Sequence, residues 1–84
     1  MKLSVYSLKK ILFDGEARSV NCKTAVGEIT ILDHHKPLIS AIIPCVIKIV
    51  DKDIKEHYIP VSSGFLQTHH NHARCIVDES TTGT

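Results

Sequence analysis

Apolar residues recur at every second position through most of this chain. Leu3 and Val5 alternate with polar neighbours, as do Val20 and Cys22, Ile29 and Ile31, and Ile47 and Ile49 around Lys48. In an extended chain successive side chains point to opposite faces, so each such run has one face to bury. Runs of four to eight β-prone residues separated by turn residues continue from end to end, and no window sustains a 3.6-residue apolar period. Strands are predicted over residues 3–7, 11–13, 16–23, 28–32, 38–43, 46–50, 56–61, 65–68 and 74–78. Asp14-Gly15, Val26-Gly27, Asp51-Lys52-Asp53 and His70-Asn71 supply turn chemistry between them, and Ser62-Ser63-Gly64 reads as a further strand-to-strand turn. A single sheet would leave its apolar face wet. The expected architecture is therefore an all-β, two-sheet sandwich or flattened barrel of about nine to ten short, mostly antiparallel strands, the sheets packed about 10 Å apart. It is expected to occupy residues 1–79, with a small polar tail over residues 80–84 that frays.

Composition narrows the function classes. An 84-residue chain, 43% apolar with both charge signs interspersed, fits one folded domain with a thin core. Ten Lys and Arg against nine Asp and Glu leave a net charge of +1 without a basic block, which gives nucleic-acid binding no support. The apolar stretch over residues 38–50 is interrupted by Ser40, Pro44 and Lys48 and falls short of the roughly 20 residues a spanning helix needs. The alternation begins at Lys2, with neither the apolar core of a secretory signal nor the character of a transit peptide, so a cytosolic or already mature protein is expected. Cys22, Cys45 and Cys75 are odd in number and widely spaced, which reads as buried thiols rather than a disulfide framework or a zinc knuckle.

Catalytic signatures are missing. There is no Gly-x-Ser-x-Gly elbow, and the four glycines are too scattered for a phosphate loop, so no enzyme and no cofactor is expected. Six histidines raise a metal alternative, with His69-His70-Asn71-His72 the densest cluster. On a strand only His70 and His72 of that run would share a face, short of the three or four ligands zinc takes, and nothing in the sequence brings His34-His35 to them. No metal site is assigned. A free-standing His-rich metal-binding β-module is the alternative reading.

The run Gly27-Glu28-Ile29-Thr30-Ile31-Leu32-Asp33-His34-His35-Lys36-Pro37-Leu38-Ile39-Ser40-Ala41-Ile42 resembles a stretch of the N-terminal β-sandwich of the epsilon subunit of F-type ATP synthases, with Gly27, Glu28, His35, Pro37 and Leu38 in place. Leu12-Phe13-Asp14-Gly15-Glu16 is similar to that family's opening hairpin, Val61-Ser62-Ser63-Gly64-Phe65-Leu66 to its Ser-Gly-Gly block, and Ile76-Val77-Asp78 to its closing strand. Four collinear blocks span nearly the whole chain. Cys45 and Ser63 stand where the family usually has glycine, and Asp33-His34 replace its usual Pro-Gly. If Cys45 and Ser63 occupy left-handed positions, each costs about 1–2 kcal/mol.

The resemblance implies a non-catalytic subunit of the central stalk, or rotor. It links gamma to the membrane rotor ring and couples ion-driven rotation to ATP synthesis, peripheral to the cytoplasmic face of the bacterial inner membrane. Gly27 and Glu28 are the implied ring contacts, and His35, Pro37 and Ser40 the implied gamma contacts. The family commonly continues into a helical hairpin, and the sequence stops where that hairpin would start; the sandwich by itself is expected to bind no nucleotide.

Overall fold

The computed structural model describes residues 1–79, and the tail expected to fray lies outside them. Seven strands form in order: β1 (Lys2–Tyr6), β2 (Ile11–Thr24), β3 (Gly27–Leu32), β4 (Leu38–Ile42), β5 (Cys45–Asp51), β6 (Glu56–His69) and β7 (His72–Glu79). One layer runs β3, second half of β2, β5, first half of β6. The other runs first half of β2, β1, β7, second half of β6, β4. Neighbours are antiparallel except β1 and β7, which lie side by side in parallel. The all-β, two-layer expectation holds.

The strand count does not. Two pairs of expected strands are each one continuous 14-residue strand, β2 and β6. A straight strand of that length would run about 46 Å, longer than the molecule's greatest dimension of 37 Å. Each long strand therefore turns a corner and contributes to both layers. Register slips by one residue at both corners, between Ala17 and Ser19 against β5 and between Val61 and Ser63 against β7. An extra residue on one strand bends it and sharpens its twist, which lets a strand change sheets without ending. Asp14-Gly15 is not a turn: Asp14 pairs with Ser4 and Gly15 with Leu3 inside the β1–β2 ladder. Ser62-Ser63-Gly64 is not a turn between separate strands either. Gly64 pairs with Val77, and a Cβ placed on it would lie 2.5 Å from the Ile76 carbonyl oxygen, so this glycine serves the close approach of β7.

The core lies between the layers where the alternation put it. Leu3, Val5, Val20, Cys22, Ile31, Ile47, Ile49, Leu66 and Cys75 are fully buried, joined by Ala17, Ile42, Val61 and Val77. Burial pushes the Cys22 thiol up to about 11, with nearby Cys45 adding to it. It pushes Cys75 up to about 12, Cys22 and Cys45 again adding. Three cysteines distant in sequence thus gather in one region of the core, as free thiols.

The expectation of strain at Cys45 and Ser63 fails, since neither has a positive φ. The left-handed position belongs instead to His34 (φ 61°), one of the two residues standing in the usual Pro-Gly. Its backbone N–H donates to Asn71 Oδ1 at 2.7 Å, which helps hold the strained turn. His70 (φ 50°) and Asn71 (φ 56°) form a two-residue turn closing His69 onto His72, the double positive φ that tight hairpins favour.

Candidate functional site

The candidate contacts fall at opposite ends of β3. At its start, Thr24 pairs with Gly27 across a two-residue loop of Ala25 and Val26, and Gly27 takes a φ of 131° that side chains rarely adopt. Thr24, buried between the layers, closes this hairpin. Its hydroxyl donates to the Gly27 carbonyl at 2.8 Å and accepts the Val26 N–H at 3.3 Å. Val26 projects at the tip, 90% exposed. Glu28 follows on the solvent face of its layer. Its Oε2 accepts a hydrogen bond from Asn21 Nδ2 at 3.0 Å, and the same amide donates to Thr30 Oγ1 at 2.9 Å. Glu28 is thus an exposed carboxylate with a fixed orientation. Asn21 and Thr24 escaped the sequence reading. The signal was the hairpin register, which sets Asn21 opposite Thr30 and diagonal to Glu28, within reach for long side chains.

Beyond the end of β3 lie His35 and Pro37, both exposed. His35 N donates to the Leu32 carbonyl at 3.2 Å, and its Nδ1 lies 2.7 Å from the Lys36 carbonyl oxygen. Five residue steps along β3 put about 17 Å between the Gly27 and His35 regions. Ser40, by contrast, is half-buried on β4, its hydroxyl directed to the Ala41 carbonyl at 3.4 Å. It alternates with Ile39 and Ala41, so it does not share their exposed face.

That face carries a feature the sequence reading did not single out. Ala41 pairs with Phe65, Phe65 with Ile76, and Ile76 with Tyr6, so one register row crosses β4, β6, β7 and β1. Phe65 is 62% exposed and Ile76 47%, with Ile39 at 73% two residues along β4 from Ala41 towards Pro37. The outer face of the other layer is mixed: Asn21, Glu28, Thr30 and Lys48, which lies 3.2 Å from Glu56, itself accepting from Tyr58 at 2.6 Å, stand beside the exposed apolar side chains of Leu32 and Val46.

The structure does bring the two histidine-bearing loops together, through the His34–Asn71 bond. Even so, no group of three or more His, Cys, Asp or Glu side chains among the described residues is placed to hold a metal ion.

The ATP synthase epsilon chain of Clostridium perfringens is 34% identical over 79 residues, covering 94% of this chain and 59% of its own length. That of Protochlamydia amoebophila is 33% identical over 76 residues, covering 90% and 52%. This chain therefore spans little more than half of those relatives. A chain in the Euglena gracilis mitochondrial ATP synthase structure (OSCP/F1/c-ring) shares the fold with a TM-score of 0.85 at 16% identity, over 92% of this chain and 49% of that one. Another, in the Tetrahymena thermophila mitochondrial ATP synthase central stalk and c-ring, does so with a TM-score of 0.80 at 17% identity, over 94% and 63%. The ATP synthase delta/epsilon chain β-sandwich domain family matches residues 1–83, and this chain belongs to it.

Proposed function

We propose that the chain is a non-catalytic component of the central stalk of an F-type ATP synthase. In this reading it attaches gamma to the membrane rotor ring and passes ion-driven rotation towards ATP synthesis. It sits at the cytoplasmic face of the bacterial inner membrane without inserting into it, residues 1–79 being the working domain. Relatives named as epsilon chains support this, as does a fold shared with a central-stalk structure.

The observation that carries the reading is the placement of two candidate contact regions at opposite ends of one strand in a closely packed body. A part that transmits torque between two partners needs two separate attachment surfaces and little give between them, and a packed sandwich core has low compressibility. We assign Gly27 and Glu28 to the ring and His35 and Pro37 to gamma, with Ser40 in a supporting position. The row of exposed Ala41, Phe65 and Ile76 with half-buried Tyr6 is continuous through Ile39 with Pro37, which favours its use in the same gamma contact. Buried, high-pKa thiols at Cys22 and Cys75 make poor nucleophiles, in keeping with a mechanical role.

Glu28→Lys tests the ring assignment. An exposed charge reversal away from the core moves stability by less than about 0.5 kcal/mol, so the variant should fold normally and hold gamma while ring attachment weakens. Unchanged ring attachment by a folded variant overturns the assignment.

A further inference from the structure

Near the His70–Asn71 turn, the outer face of β6 and β7 opens into a hollow of about 310 Å³ lined by Gln67, His69, His70, His72 and Arg74. Register explains the gathering: Gln67 pairs with Arg74 and His69 with His72, so strand positions two apart put all four on one face. His70 joins from the turn, its ring centroid 3.9 Å from that of His69. From β1, Lys2 pairs with His72, and Ser4 Oγ lies 3.3 Å from His72 Nε2. None of the lining residues is a carboxylate. Two acids of β2 stand one strand further on, Asp14 paired with Ser4 and Glu16 paired with Lys2.

We propose that this hollow binds a phosphate-type oxyanion, held by the Arg74 guanidinium, the Gln67 amide and the imidazole N–H groups. Every lining side chain offers N–H donors, and a guanidinium matches the planar fork of a phosphate or carboxylate. A cation is disfavoured because Arg74 keeps its charge at any ordinary pH, and because no three metal-ligating groups converge among the described residues. The local potential points the same way. Partial burial lowers the pKa of His72, and Arg74 and Lys2 lower it further against the opposing pull of Asp14. An anion in the hollow offsets that repulsion, so binding raises the His72 pKa and takes up a proton. Affinity therefore rises as pH falls. The site is separate from the Glu28 hairpin, and its test does not depend on gamma or the ring.

The test is a titration of the ¹⁵N-labelled chain with inorganic phosphate, at constant ionic strength made up with chloride, at about pH 6 and about pH 7.5. The expected result is saturable shifts confined to the five lining residues, with tighter binding at the lower pH once affinity is expressed per phosphate dianion, whose fraction falls over the same range. Arg74→Gln should weaken binding about tenfold, the loss of one charge-assisted hydrogen bond, with the rest of the spectrum unchanged. His72→Gln should retain binding and flatten its pH dependence. Phosphatidylglycerol vesicles that displace bound phosphate, where phosphatidylcholine vesicles do not, would place the phosphate on a lipid; no displacement would make it a soluble ligand. Equal shifts with chloride alone, unchanged binding by Arg74→Gln, or stoichiometric capture of zinc at these residues without a phosphate response would overturn the proposal.

Discussion

Replacing Gly64 by alanine separates two explanations of the same glycine. If Gly64 served a turn between strands, an added methyl group would cost little beyond its backbone preference. In the structure the methyl carbon would lie 2.5 Å from the Ile76 carbonyl oxygen, 2.9 Å from Val77 Cγ1 and 3.0 Å from Val77 Cα. Ordinary contacts begin near 3.4 Å, so β6 and β7 would have to part by close to an ångström. Two of the three obstructing atoms are backbone, and Gly64–Val77 and Phe65–Ile76 are ladder pairs, so no side-chain rotation relieves the clash. Overpacking costs about 1–3 kcal/mol, and a lost ladder hydrogen bond adds about 1 kcal/mol. A loss of about 3 kcal/mol is expected. At about 4–8 °C per kcal/mol for a domain of this size, Tm should fall by about 12–24 °C. Thermal unfolding followed by circular dichroism measures it. Gly15→Ala is the control, because the nearest atom to its methyl group is Phe13 Cζ at 4.0 Å. That variant should be neutral or gain about 0.5 kcal/mol from a stiffer unfolded chain. A loss below about 1 kcal/mol for Gly64→Ala, or equal effects of the two variants, would refute the close-approach account.

Ile54 holds a left-handed φ of 63° in the β5–β6 turn while 67% exposed. Ile54→Asn should therefore stabilise the chain by about 1 kcal/mol in urea unfolding, and a loss of stability would contradict this strain. The thiols should react with Ellman's reagent in order, half-buried Cys45 first and Cys22 and Cys75 only on unfolding; equal rates in the folded protein would show that the core placement is wrong. Asp51 Oδ2 lies 2.8 Å from His57 Nε2, and Oδ1 accepts from Asp53 N and Lys55 N. The His57 bond, followed by the backbone bond from Lys55, holds the Asp51 carboxyl below the usual carboxylate range. A depressed folded pKa stabilises above the unfolded value and loses that contribution as pH falls through the folded one. Asp51→Asn should thus flatten the acid limb of the stability curve below about pH 4, and an unchanged acid limb would argue against the turn anchor.

Much of the fold was legible because one pattern dominates it. Ile47 and Ile49 around Lys48, or Val20 and Cys22 around Asn21, leave little choice of inward face, and the structure buries each of them. What escaped was continuity. The extra residue at each corner shifts the phase of the alternation, from buried Ala17 to Val20 and from Val61 to Leu66, and Gly15 and Gly64 suggested breaks where the ladder continues. Glycine signals a close approach as readily as a turn, and only the partner strand distinguishes them. The contact between the His34 turn and Asn71 joins residues 37 apart in sequence, a distance no local pattern spans. The family motif singled out Glu28 as a candidate contact. Its hold by Asn21 was not, because a diagonal cross-strand contact depends on register.

The central claim is that this sandwich is a gamma-binding foot of the rotor, and the most direct measurement is its association with purified gamma by size-exclusion chromatography with light scattering. A one-to-one complex at micromolar concentration is expected. It should be lost in a folded Phe65→Lys variant, which places a charge in the exposed apolar row, and retained by Glu28→Lys, whose change lies on the outer face of the other layer. No complex with gamma, or a complex indifferent to Phe65→Lys, would contradict the account.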